Sequence, residues 1–142
     1  MAYKDKLGNI KFRGKKKSTE YYQDRIWQAG EWLYGYYYRY LDIDRIMLPR
    51  EGQGQISFDI MPETLGRFTG AKDVNGKDIY EGDIVRCNDW FNSEVFYNDE
   101  LCAFVVDNQE KQMLNLLHDF NNVVVIGNKF DNPELLPPDE ED

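Results

Sequence analysis

Phe68 to Val85 reads Phe-Thr-Gly-Ala-Lys-Asp-Val-Asn-Gly-Lys-Asp-Ile-Tyr-Glu-Gly-Asp-Ile-Val, and it packs more turn instructions than any other stretch of the chain. Asn75-Gly76 is a two-residue type I′ hairpin signal, because both residues tolerate the positive φ that its central positions require. Gly70 and Gly82 mark two further changes of direction, with Ile79, Ile84 and Val85 as the apolar positions between and after them. Tyr80 and Asp83 flank the Gly82 turn, and Asp83 is suited to accept backbone N–H bonds that hold it. The segment contains no His, no Cys and no nucleophile beside a base, so it instructs the backbone and carries no reaction. Lys72, Asp73, Lys77 and Asp78 read as ion pairs on its rim, worth well under about 1 kcal/mol each.

Outward from this stretch the sequence is strand-like on both sides. Ile10 to Arg13 alternates apolar and basic, Ile56 to Ile60 alternates cleanly, and Val123 to Ile126 is a short apolar run ended by Gly127. Asp83–Asn88, Ser93–Tyr97 and Leu101–Val106 follow as further strands with polar turns between them. Ser18 to Gln28 is expected to form a short helical segment. Pro62 to Leu65, and Pro133 to Leu136 capped by Asn132, suit single helical turns. The fold expected is mainly β, with few short helical turns: a small barrel in the C-terminal half, joined to an N-terminal aromatic-rich β segment. The organisation expected is a basic, aromatic-rich segment over 1–66, the barrel over 67–136, and a disordered acidic tail over 137–142.

The most aromatic run is Glu31-Trp32-Leu33-Tyr34-Gly35-Tyr36-Tyr37-Tyr38-Arg39-Tyr40. Period-2 geometry puts Trp32, Tyr34, Tyr36, Tyr38 and Tyr40 on one face and Leu33, Gly35, Tyr37 and Arg39 on the other. The plainer reading is that one face is core and the other makes cross-strand aromatic pairs. The functional reading is a contact surface, since exposed Tyr and Trp are enriched at interfaces and can also stack nucleobases. Ile43 to Leu48, after a bend near Leu41-Asp42, is the returning strand.

The formal net charge is −9, distributed as +5 over residues 1–50 and −14 over residues 51–142. An acidic chain is repelled by phosphate backbones, although the basic first half permits a local patch. Cys87, Cys102 and His118, the single histidine, lack the close-pair spacing of a zinc site; the cysteines read as small packing thiols and His118 as a strand-end or loop residue. No cofactor or metal is expected. Residues 1–10 lack the apolar core of a signal peptide, so a cytoplasmic setting with reduced thiols is the expectation.

Three blocks resemble the YopX family of small phage and prophage proteins. The first is Ile10-Lys11-Phe12-Arg13-Gly14-Lys15 together with Gly30-Glu31-Trp32-Leu33-Tyr34-Gly35-Tyr36-Tyr37. The second is Pro62-Glu63-Thr64-Leu65-Gly66-Arg67-Phe68-Thr69-Gly70, continuing through Asp73, Asn75-Gly76-Lys77 and Ile79 to Val85. The third is Val125-Ile126-Gly127-Asn128 with Asn132-Pro133-Glu134-Leu135-Leu136. The resemblance implies a phage-associated, β-rich protein, with an SH3-like small barrel following Glu81-Gly82-Asp83-Ile84-Val85. It implies no particular activity.

The expected function is therefore a non-catalytic interaction protein. It would self-associate or bind a protein partner through its β edges and the side chains of Trp32, Tyr34, Tyr36, Tyr38 and Tyr40. One alternative is nucleic-acid binding by Lys11, Arg13, Lys15, Lys16, Lys17 and Arg39 with the tyrosine strand. Another is an acidic second half that imitates a phosphate backbone and occupies a host DNA-binding protein. No membrane partner is expected.

Overall fold

A computed structural model describes residues 11–23, 25–50, 52 and 54–137. Residues 138–142 of the acidic tail, expected to be disordered over 137–142, and Ile10 lie outside the described residues. The chain forms two compact units, Met1–Phe68 and Thr69–Asp142. Both are built from antiparallel strands, and 56% of the described residues are strand, with no helix of seven or more residues among them.

The N-terminal unit contains β1 (Phe12–Lys15), β2 (Glu20–Tyr22), β3 (Arg25–Trp27), β4 (Trp32–Tyr40), β5 (Ile43–Leu48) and β6 (Ile56–Asp59). A helical turn over Pro62–Thr64 then leads into β7 (Gly66–Lys72). The strands order as β6-β5-β4-β1-β7, with β7 entering through Gly66 and Arg67. The core of this unit is Leu33, Ile46, Ile56, Phe58 and Ile60, with Phe12, Trp27, Tyr37 and Leu48 packed against it. Burial of each large aliphatic side chain contributes roughly 1.5–3 kcal/mol. The segment expected to be helical, Ser18 to Gln28, is instead the β2–β3 hairpin. Its anchor is Trp27, whose ring sits 4.8 Å from that of Phe58, a tertiary contact that outweighs a weak local preference.

The C-terminal unit takes the rest of β7, then β8 (Asp78–Tyr80), β9 (Asp83–Cys87), β10 (Phe91–Glu94), β11 (Phe96–Asn98), β12 (Ala103–Asn108), β13 (Met113–Leu116) and β14 (Val123–Asn128). Single helical turns occupy Leu117–Asp119 and Pro133–Leu135. Two three-stranded sheets, β10-β9-β14 and β11-β12-β13, contribute Val85, Cys87, Phe91 and Val106 to one core. Among the described residues no sheet closes on itself, so the small barrel that the spacing suggests is not confirmed. The chain turns a corner at the fully buried Val95, between β10 and β11. Its N–H donates to the Asp83 carbonyl and its carbonyl accepts from Gly82 N–H, both at 2.8 Å, so one strand feeds two sheets.

Candidate interaction surface

Register decides which face of β4 points outward. β1 pairs with it as Arg13↔Tyr34 and Lys15↔Trp32, and β5 as Tyr36↔Met47, Tyr38↔Arg45 and Tyr40↔Ile43. Directly opposed residues share a face, so these side chains form one continuous surface. The opposite face carries Leu33, Gly35 and Tyr37 into the core. Gly35 is required there: a Cβ would lie 2.1 Å from the Met47 carbonyl oxygen, so the two strands approach more closely than any side chain permits. Tyr37 lies 5.6 Å from the Phe12 ring, and its hydroxyl donates to Asp44. That hydrogen bond, together with burial and the nearby carboxylate charge, raises the Tyr37 pKa.

The five aromatics singled out by periodicity therefore lie outside the core. Trp32, Tyr36 and Tyr38 are half-buried, while Tyr34 and Tyr40 are 48% and 61% exposed. The surface continues around the β4–β5 turn, where Leu41 is 76% and Ile43 44% exposed. Leu41 and Asp42 hold φ values of +51° and +63°. Both central residues of a two-residue hairpin need the left-handed region, and leucine tolerates it poorly. Asp42 is exposed and makes no hydrogen bond or ion pair among the described residues.

The basic residues divide between the two faces. The Arg13 guanidinium lies 4.6 Å from the Trp32 ring centroid and Lys15 Nζ 5.3 Å from it, with Arg13 itself buried. Lys11 Nζ sits 4.9 Å from the Phe68 ring. Lys16 points to the core side and is fully buried. Its ammonium donates to the Ser18 carbonyl at 2.6 Å and to the Glu20 carboxylate, 4.2 Å from the centre of the Phe58 ring. Arg39, on the same side as Tyr37, pairs with Asp44 at 3.9 Å. Arg45, beside Tyr38, pairs with Asp59 at 3.0 Å. Lys17 is exposed in the turn after β1. The six cations named from sequence thus do not form one patch: Lys11, Arg13 and Lys15 join the aromatic surface, and Lys16 and Arg39 are committed elsewhere.

At the start of β4 the surface meets a cavity of about 560 Å³ in the same unit, lined by Arg25, Trp27, Trp32, Leu48, Pro49 and Arg50 among others. It opens where the chain after Leu48 parts from β4. Arg25 is stacked on Trp27 at 3.6 Å and bonded to the Glu31 carboxylate. Arg50 donates to Gln23 Oε1 at 2.6 Å. The indole N–H of Trp27 is buried without an acceptor among the described residues, an uncommon state for a donor in a native interior. The cavity was invisible in the sequence because Ser18 to Gln28 was expected to be helical. The exposed tip carries a sequence signal of its own, a leucine where a two-residue turn between strands asks for Asn or Gly.

In the C-terminal unit the residues of the organising stretch hold backbone, with two corrections to their roles. Asp83 is buried and accepts the Tyr80 N–H at 2.8 Å, and Gly82 turns at φ +88°. Gly70, at φ +87°, bends β7 without ending it. The Asn75-Gly76 turn is not type I′. Gly76 alone of the two has positive φ, at +84°, and its N–H bonds the Asp73 carbonyl at 3.0 Å. The cause is Asp73, which is buried and not a rim ion-pair residue. Its Oδ1 accepts the N–H groups of Asn75 and Lys77 at 2.9 Å each, and its Oδ2 that of Val125 on β14 at 3.0 Å. Lys72 and Asp78 do form an exposed pair at 2.8 Å. Asn132 does not cap the last helical turn with its side chain; its Oδ1 accepts the Asn128 N–H at 3.2 Å instead.

Cys87 is in the core, where burial pushes its thiol up to about 11. Cys102 is exposed in the turn before β12, and His118 is exposed beside Asp119. Among the described residues no three His, Cys, Asp or Glu side chains converge in a way that could hold a metal ion. No helix among them is long and apolar enough to cross a membrane. No curated protein shows a significant sequence match to the chain. Residues 11–137, which include the β4 surface, the Asp73 turn and the Val95 corner, match the YopX protein family, and the chain belongs to that family.

Proposed function

We propose that this is a non-catalytic binding protein that engages a protein partner through the outer face of β4 and the tip of the β4–β5 hairpin. The observation that carries this reading is the exposure of Tyr34, Tyr40, Leu41 and Ile43 along the outer face of β4 and its hairpin tip. On that face Arg45 is paired with Asp59, and the Arg13 and Lys15 cations lie over the Trp32 ring at the start of β4, so toward the hairpin tip the surface offers apolar and aromatic area more than positive charge. Tyr-rich surfaces of this kind suit protein interfaces. The resemblance to phage and prophage proteins is in keeping with a partner in the cytoplasm of a host cell.

The test is capture from nuclease-treated host lysate by the wild-type chain and by a Tyr34→Ser/Tyr40→Ser double variant, checked for folding by circular dichroism. A protein held by the wild type and released by the variant is expected, since losing a buried interface tyrosine costs about tenfold or more in affinity. Equal capture by both chains overturns the reading.

A second reading, single-stranded nucleic-acid binding, is supported by Lys11, Arg13 and Lys15 standing on the same face as Trp32 and Tyr34. It requires oligonucleotide binding that weakens steeply with salt. Absence of binding at low salt ends it.

A further inference from the structure

The β9–β10 hairpin of the C-terminal unit carries a cation that the unit leaves without a counter-charge. Arg86 stands opposite Asn92 in the register of the two strands. Its guanidinium donates to Asn92 Oδ1 at 3.2 Å and to the Asp89 carbonyl in the turn at 2.9 Å. Both acceptors are neutral, and the half-buried Arg86 makes no ion pair among the described residues. Residues 51–142 carry a net charge of −14, so carboxylates are plentiful in this part of the chain, yet none is placed against Arg86. A guanidinium has five N–H groups, so the fork is held in place with donors to spare.

Arg86 lines a groove of about 550 Å³, within the range of small-molecule sites. Trp90, whose ring meets that of Phe91 edge-on at 5.7 Å, is 49% exposed there. Asn108, also on the wall, is buried; its Oδ1 accepts the Lys111 N–H at 3.3 Å, and its Nδ2 has no partner among the described residues. A buried amide donor left unspent is uncommon in a native interior. Lys111 Nζ, 5.8 Å from the Trp90 ring centroid, is a second cation without a carboxylate. Glu110 is the one acid on the groove wall among the described residues; it is exposed and pairs with neither cation.

We propose that this groove binds a small ligand that joins a planar ring to an oxyanion, the ring stacked on Trp90 and the carboxylate or phosphate held by Arg86. The site goes beyond the binding role of the β4 face and does not depend on it. A guanidinium without a carboxylate gains charge-assisted, bidentate hydrogen bonds from an oxyanion. An exposed indole gains stacking from any planar ring. Asn108 Nδ2 supplies a further donor from the wall.

Heteronuclear NMR titration of the full chain tests the proposal, with the Trp90 indole N–H resonance identified by its loss in a Trp90→Phe chain. Adenosine monophosphate probes the phosphate form of the ligand and indole-3-acetate the carboxylate form. Adenosine with inorganic phosphate, and indole with acetate, present the two halves separately. At least one whole probe is expected to shift the Trp90 resonance saturably, and each of its halves to bind at least about tenfold more weakly. Whichever probe binds identifies the oxyanion. Arg86→Gln and Trp90→Ala are each expected to weaken binding at least about tenfold, with the remaining spectrum showing that the fold is kept. Arg86→Gln should leave the weak binding of the ring alone unchanged, which a collapsed groove would not. Glu110→Gln is expected to tighten binding, and Tyr34→Ser/Tyr40→Ser to leave it unchanged. No shift at Trp90 with either probe at millimolar concentration overturns the proposal. So does a half that binds as tightly as the whole, or Arg86→Gln and Trp90→Ala chains that bind like the wild type. None of these results bears on the β4 surface, which stands or falls on capture by the Tyr34→Ser/Tyr40→Ser chain.

Discussion

Asp73 offers the sharpest test of how the organising stretch works. Its buried carboxylate is the shared acceptor for three N–H groups, from Asn75, Lys77 and Val125. A hydrogen bond to a charged acceptor contributes roughly 1.5–3 kcal/mol. Asn75 and Lys77 are exposed, so water replaces part of what they lose and their two bonds count at the low end. Val125 lies within β14, where its N–H has less access to a substitute. Asp73→Ala is therefore expected to cost about 3–5 kcal/mol. Asp73→Asn, which keeps one acceptor oxygen and turns an NH₂ toward a donor, should cost about 1.5–3 kcal/mol. The pH dependence has a definite sign. Burial alone would raise the Asp73 pKa, but the N–H groups of Val125, Lys77 and Asn75 and the Lys77 charge together lower it. A carboxyl whose folded pKa lies below its unfolded value of about 3.9 stabilises fully above that value and loses the contribution as pH falls through the folded pKa. Urea denaturation of wild type and Asp73→Asn at pH 7 and pH 3, with hydrogen exchange at the Val125 amide as the local probe, measures both effects. The gap between the two chains is expected to be large at pH 7 and smaller at pH 3. A variant within about 0.5 kcal/mol of wild type at pH 7, or an unchanged gap at pH 3, refutes the reasoning.

Leu41→Asn should raise stability by about 0.5–1 kcal/mol, because asparagine tolerates φ near +51° and no buried contact is lost; thermal unfolding would shift upward by roughly 2–4 °C per kcal/mol. Gly35→Ala is expected to lose about 3 kcal/mol or more, or to fail to fold, since its Cβ would meet the Met47 carbonyl at 2.1 Å and backbone cannot yield as a side-chain end can. Chemical denaturation reads that loss. A thiol-specific reagent at pH 8 should modify one cysteine rapidly, the exposed Cys102. Cys87, buried and with its pKa pushed up to about 11, should react only after denaturation.

What the sequence made legible was local and periodic. Trp32–Tyr40 and Ile56–Ile60 alternate, and both are strands. Which face of the first is buried was not legible, because the face with more aromatic residues is the outer one. The inner face is set by Gly35, whose missing side chain lets β5 approach, and only the pairing of the two strands reveals that need. Ser18–Gln28 misled for a similar reason: a hairpin whose stability comes from Trp27 resting on Phe58 leaves little mark on its own residues. Asn75-Gly76 named a turn correctly and its type wrongly, since a carboxylate two residues earlier selects a different backbone. Strand spacing points to a small barrel; among the described residues the chain bends at Val95 and its strands fall into two sheets, neither of them closed. The cavity beside Arg50 arises where one strand leaves another, a place no periodicity describes.

The central claim, that the outer face of β4 and its hairpin tip form the contact surface, is tested most directly by hydroxyl-radical footprinting of the isolated chain and of the chain bound to whatever it associates with. Tyr34, Tyr40 and Leu41 should be labelled in the dilute chain and protected on association, with Trp90, Leu101 and Met113 of the C-terminal unit labelled equally in both. Protection at those C-terminal residues with Tyr34, Tyr40 and Leu41 unchanged would contradict the account.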